Sequence, residues 1–190
     1  MVSPQSLSEA DRRVVALWAA DCAERVLSIF ESEAPDDDRP RDAIARARAY
    51  GRGELDTAQE IARRFVAGRA ARDVNSPAAV AAARSAAQAS GVAHMGAHAL
   101  GAAAYAAKAA GLDAAGEANA LDDEVHWQLA HMSAAVRLAL ARLPALGQDS
   151  AGPLGPGLLA SGVLGSSIRT IQADLAHTAP VENGSPPPVP

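Results

Sequence analysis

Residues 76 to 110, SPAAVAAARSAAQASGVAHMGAHALGAAAYAAKAA, contain only two fully charged side chains, Arg84 and Lys108. A stretch of that length with so little charge has no polar face to turn to solvent, so the rest of the chain must cover it on most sides. Its side chains are mostly single methyl groups, each contributing little apolar area, so burial here requires helices that approach one another closely. The segment therefore predicts the spine of an all-α bundle. About a quarter of the 190 residues are alanine and only 3% are aromatic, which extends the same argument to the whole core.

Charge is distributed to match. Residues 1 to 75 hold 12 of the 17 basic and 14 of the 22 acidic side chains, so a charged first half is expected to wrap the quiet spine. The net charge of −5, with arginines interleaved among acids, argues against nucleic acid as a partner. The spine is rich in alanine, glycine and serine rather than leucine and isoleucine, which argues against a membrane span. The start, MVSPQSLSEADRR, lacks a basic and apolar leader, and the single Cys22 excludes an internal disulfide. A soluble cytoplasmic protein is the expectation.

Periodicity predicts a compact multi-helix bundle of five to seven helices, with helix pairs that could stack. Ser8, with Glu9 and Asp11 behind it, reads as a helix start, and Val14, Val15, Trp18, Cys22, Val26, Ile29 and Phe30 give an apolar face ending near Pro35. Pro40 suits the first turn of a second helix through Tyr50, and a third spans Leu55 to about Asp73. Residues 77 to 110 form one helix or two divided near Gly91. A last core helix runs from about Asp113 to Leu143, stopped by Pro144. This gives a helical domain over 1 to 147. A Gly/Pro-rich linker follows in 148 to 190, with a short helix at 168 to 177 and a disordered, flexible tail at 178 to 190.

Three clusters could carry chemistry. His94 and His98, four apart, would share one face of a helix, with Tyr105 nearly in line. They could satisfy buried hydrogen bonds, line an acid–base or ligand pocket, or chelate a metal, with His126 and His131 on another helix able to join them. No glutamate lies between them as in the zinc-protease signature, so neither a metal nor a cofactor is expected. In the first helix, Asp21 and Glu24 lie beside Trp18 and Cys22. Asp21 is spaced to pair with Arg25, or a carboxylate there could face an apolar cleft. The run PDDDRPRDA offers Asp37, Asp38, Arg39 and Arg41, which can cap a helix or hold an anionic or charged partner group.

The segments LWAADCAERVLSIFE (17 to 31), PDDDRPRDAIARARAYGRGE (35 to 54) and AHMGAHALGAAAYAAKAAG (93 to 111) resemble the Imm-five-like group of bacterial immunity proteins, over roughly residues 14 to 143. The resemblance implies an α-helical cytoplasmic protein that binds and neutralises a toxin, and it assigns no catalytic residue. The matching positions to watch are Trp18, Asp21, Cys22, Glu24, Asp37, Asp38, Arg39, His94, His98 and Tyr105.

Two functions follow as expectations. In the first, the acidic first half meets a basic toxin surface, or a second copy of the chain forms a homodimer. In the second, a cofactor-independent enzyme of secondary metabolism works on a small molecule by ring closure or elimination. Asp21, Glu24 or Asp37 would act as base and His94 or His98 as acid–base partner. Arg39 would anchor an anionic leaving group, with Trp18, Asp38, Arg41 and Tyr105 around the ligand.

Overall fold

The computed structural model describes residues 3–63, 66–114 and 117–178. These residues form helices and no strand: α1 (Glu9–Arg25), α2 (Leu27–Glu33), α3 (Arg39–Gly51), α4 (Thr57–Arg63), α5 (Val66–Ala70), α6 (Pro77–Gly91), α7 (His98–Asp113), α8 (Ala120–Ala130), α9 (Ala134–Leu140) and α10 (Gly162–Thr178). The all-α bundle expected from the sequence is therefore the fold, in shorter pieces than periodicity suggested.

The spine is an antiparallel pair, α6 and α7. Ser85 donates to the Ala102 carbonyl at 2.8 Å and His98 meets Gln88 at 2.7 Å, a register that fixes the two helices side by side. Alanines at 79, 81, 82, 83, 86 and 89 of α6 and at 99, 102, 103, 106 and 107 of α7 are all at or near zero exposure. Methyl groups permit this close approach, and Ser85 turns it into a direct hydrogen bond between the helices. α2, α3 and α5 pack against α6, α8 and α10 pack against α7, and α1 meets both.

Breaks divide the expected long helices. The helix from Ser8 begins as read, with the Ser8 side chain accepting from the Asp11 N–H at 3.1 Å, but it turns at Val26 (φ −112°, ψ 5°) before α2. The helix expected from Asp113 instead starts at Ala120 and stops at His131, because Ser133 caps a new helix by accepting from Val136 N–H at 3.2 Å. Ser76 and Pro77 open α6 as the sequence indicated.

Beyond Gly147 the structure differs from a linker. Leu154, Leu159, Leu164, Ile168, Ile171 and Leu175 belong to the same buried cluster as the spine, and α10 starts six residues before the expected Ile168. The spacing of 164, 168, 171 and 175 is that of one helical stripe, and it lies against α7. Gln5 ties the chain's start to this region. Its side-chain nitrogen donates to Asp149 at 2.7 Å and to the Ala151 carbonyl at 2.8 Å, while its oxygen accepts from Leu154 N–H at 2.9 Å. The expected tail lies outside the described residues from 179 onward.

Candidate partner-binding surface

α1 and α3 lie antiparallel, since Arg13 near the start of α1 reaches the Tyr50 carbonyl at the end of α3, and Arg48 reaches Asp21 and Glu24. Gly51 makes the approach close: a Cβ there would meet Leu17 Cδ2 at 2.6 Å. This packing sets an acidic stripe on α1 and α2 beside an arginine stripe on α3.

The pairs follow in order along the two stripes. Arg48 donates to Asp21 at 2.7 Å and also to Glu24, and Arg41 pairs with Glu31. Arg39 spans Asp37, at 2.8 Å from its Nε, and Asp73 at 2.6 Å. Glu33 accepts from the backbone N–H groups of Asn75 and Ser76 at 2.6 and 3.0 Å, which anchors α2 to the start of α6. The Arg48 hydrogen bond holds the Glu24 carboxyl below its ordinary range, and the Arg39 hydrogen bond does the same for Asp37. Asp36 and Asp38, both exposed, have no ion pair among the described residues and add negative charge beside this lattice.

Trp18 and Tyr105 are core residues. Trp18, 2% exposed, donates from Nε1 to the Gln128 carbonyl at 3.0 Å. Tyr105 is buried, with the Arg84 guanidinium 5.8 Å from its ring centroid. Cys22 is fully buried, and desolvation pushes its thiol well above the usual range. The expected Asp21–Arg25 pair is replaced: Arg25 turns to α8, donating to the buried Glu124 at 2.8 Å and lying 4.0 Å over the Trp127 ring. A partner that is both buried and aromatic outcompetes an exposed i,i+4 neighbour.

The histidines do not share a helix. α6 ends at Gly91, His94 stands exposed in the turn that follows, and His98 is the first residue of α7. The turn is imposed from outside, because Gly96 and Ala97 N–H groups bond to the carbonyls of Ser6 and Gln5 at 3.1 and 3.0 Å. A Cβ on Gly96 would strike Leu7 at 2.5 Å, so that crossing needs glycine. The two rings remain 6.5 Å apart, with His98 Nδ1 on Gln88. His131 stacks on Trp127 instead, at 3.9 Å. Among the described residues no three His, Cys, Asp or Glu side chains gather as a metal site would require.

The expected acid–base set is thus split. The histidine turn is tied to the chain just before α1, whereas Asp21 and Glu24 occupy the last turns of α1, about 20 Å along the helix at 1.5 Å per residue. The cleft beside Arg39 is lined by Asp42, Arg46, Glu60 and Ser90 and encloses about 10 Å³, room for roughly one water. Two of its lining residues form a pair, half-buried Arg46 with Glu60, whose carboxylate is 5% exposed. Sequence reading missed Arg48, Glu31 and Glu33. The signal for Arg48 was present as its seven-residue spacing from Arg41, two helical turns along one face.

Residues 5–135 match the family described as Imm-5 like putative immunity protein. The chain belongs to this family. The match covers α1 to α8 and so contains the whole paired lattice on α1, α2 and α3, while α10 lies beyond it. No curated protein and no solved structure matches the chain. Among the described residues, no helix of this immunity-family protein is long and apolar enough to cross a membrane.

Proposed function

We propose that this immunity-family protein neutralises a protein toxin by binding it, and that the face of α1, α2 and α3 is where the toxin docks. The observation that carries the reading is the lattice itself: Asp21, Glu24, Glu31 and Asp37 are each held at the surface by an arginine rather than turned into an enclosed cavity. Arginine forks fix the carboxylates in place, so a partner meets a charge pattern that is already ordered. Asp36 and Asp38 leave that pattern net negative, which suits a basic toxin surface and speeds encounter with it. The toxin is met in the cytoplasm, and the chain acts without a cofactor.

The test is co-expression with bacterial toxin domains, beginning with any found next to this gene. The parent chain restores growth, and Asp21→Lys/Glu24→Lys reduces protection and slows association while helical content is kept. The reading is abandoned if the parent chain protects against none of them, or if the charge-reversed variant protects equally well.

A further inference from the structure

Ordered charge speeds encounter and selects a partner, whereas tight binding comes from a few aromatic or arginine side chains packed out of water within the contact. The rings carried by α1, α2 and α3, those of Trp18, Phe30 and Tyr50, are all buried, and so is Tyr105. Among the described residues Trp127 is therefore the one tryptophan, tyrosine or phenylalanine that reaches solvent. It stands on α8, and Arg25 joins it to the acids of the proposed docking face. Arg25 follows Glu24 directly and lies one turn beyond Asp21 on α1, yet its guanidinium sits 4.0 Å from the Trp127 ring centroid. Asp21 thus lies between Arg48, which reaches it from α3, and the Arg25 contact with α8.

The indole is fixed before any partner arrives. Arg25 donates from Nε to the buried Glu124 at 2.8 Å, and Glu124 accepts from Gln128 Nε2 at 3.2 Å, so the guanidinium has little freedom. The His131 ring stacks on the indole at 3.9 Å and 20°, and its Nδ1 donates to the Trp127 carbonyl at 2.7 Å. Side chains already held in this way lose little entropy on binding. Glu124 also answers the Arg25 charge, which leaves an aromatic surface bordered by the ion pairs of α1 and α3, the anatomy of an apolar centre within a charged rim. We infer that Trp127 is the anchor of the toxin contact: the docking face continues across α1 to α8, and an apolar side chain of the toxin packs on the indole.

This anchor role rests on the toxin-binding reading of the α1–α3 face, but it has its own kinetic signature. Surface plasmon resonance on the full chain would use, as probe, a catalytically inactive form of the toxin domain against which the parent chain protects. Trp127→Ala is expected to raise the dissociation rate at least about tenfold with association unchanged, and Trp127→Phe to recover much of the loss, whereas Asp21→Lys/Glu24→Lys slows association. Circular dichroism separates a lost contact from a lost fold. A second measurement leaves Trp127 itself in place: Trp18→Phe makes it the single tryptophan of the chain, and acrylamide should quench its emission in the free protein but much less in the complex. A complex in which Trp127→Ala dissociates at the parent rate, or in which acrylamide reaches Trp127 as before, overturns the anchor role and leaves toxin binding standing. A parent chain that protects against no toxin overturns both.

Discussion

Ile171 has no solvent exposure and lies on the face of α10 that meets α7, so its replacement by alanine measures how far that helix belongs to the core. The substitution removes three carbon groups from a site with no access to water. At about 0.8 kcal/mol per buried group the transfer loss is about 2.4 kcal/mol. The cavity left behind adds to it, giving a total of about 3 to 4 kcal/mol, within the range known for Ile→Ala in cores. For a chain of this size each kcal/mol lowers Tm by about 2 to 4 °C, so a fall on the order of 10 °C is expected by differential scanning calorimetry. Leu158→Ala is the control, because that side chain is 60% exposed and should change stability by less than about 0.5 kcal/mol. Urea titration should show a lower midpoint for Ile171→Ala with an unchanged slope, as expected when one cooperative unit loses stability. An Ile171→Ala protein as stable as its parent, or a separate early transition for α10, would refute the argument that the helix completes the core.

Glu33→Ala removes the acceptor of the Asn75 and Ser76 N–H groups and should cost about 1 kcal/mol, read as a lower urea midpoint; no change would mean that Ser76 and Pro77 alone suffice to start α6. Because Arg48 depresses the folded Glu24 carboxyl, the pair adds stability above the ordinary pKa of 4.5 and loses it as pH falls through the lower folded value. In Arg48→Ala the Glu24 carboxyl carbon, followed by NMR, should titrate closer to 4.5, with a stability change below about 1 kcal/mol because the pair is half exposed; an unmoved titration refutes the assignment. Trp18→Phe leaves its aromatic bulk in place but removes the hydrogen bond to Gln128, and should destabilise by about 1 to 2 kcal/mol in denaturant. The Cys22 thiol, fully buried and pushed towards its neutral form, should resist Ellman's reagent in the native protein and react at once in guanidinium.

The helical class was legible because it rests on average properties that one stretch of chain carries by itself. Alanine content and the uncharged spine required close helices, and Ser8, Ser76 and Pro77 marked starts that the structure uses. The breaks were less legible, since two of their causes lie far along the chain or in weak local preference. Nothing within residues 91 to 98 says that Gln5 and Ser6 carbonyls will draw the backbone into a turn, yet that contact decides where His94 points. The role of the segment past Gly147 was obscured by its glycines and prolines. The stripe of Leu164, Ile168, Ile171 and Leu175 was present in the sequence, but its first residue lies inside the stretch that composition assigns to a linker.

The same distinction explains what could be read of the surface. Asp21, Glu24 and Asp37 were recognisable as charged positions near apolar neighbours, and a carboxylate so placed can be a base, a cap or half of an ion pair. Which of these it becomes depends on the helix opposite. Arg48 lies 27 residues from Asp21 and Glu124 lies 99 from Arg25, so each pairing exists only once α1 has been packed against α3 and α8. Asp21 and Arg25 show the consequence: they are spaced for each other, yet each has a different partner because tertiary packing offers Arg25 a buried carboxylate and an aromatic face together. An exposed i,i+4 pair contributes only a few tenths of a kcal/mol, so almost any tertiary alternative displaces it. Asp113, Glu117, Asp122 and Asp123 show the same logic in reverse: no arginine stripe packs beside these exposed acids, and among the described residues none of them has an ion pair.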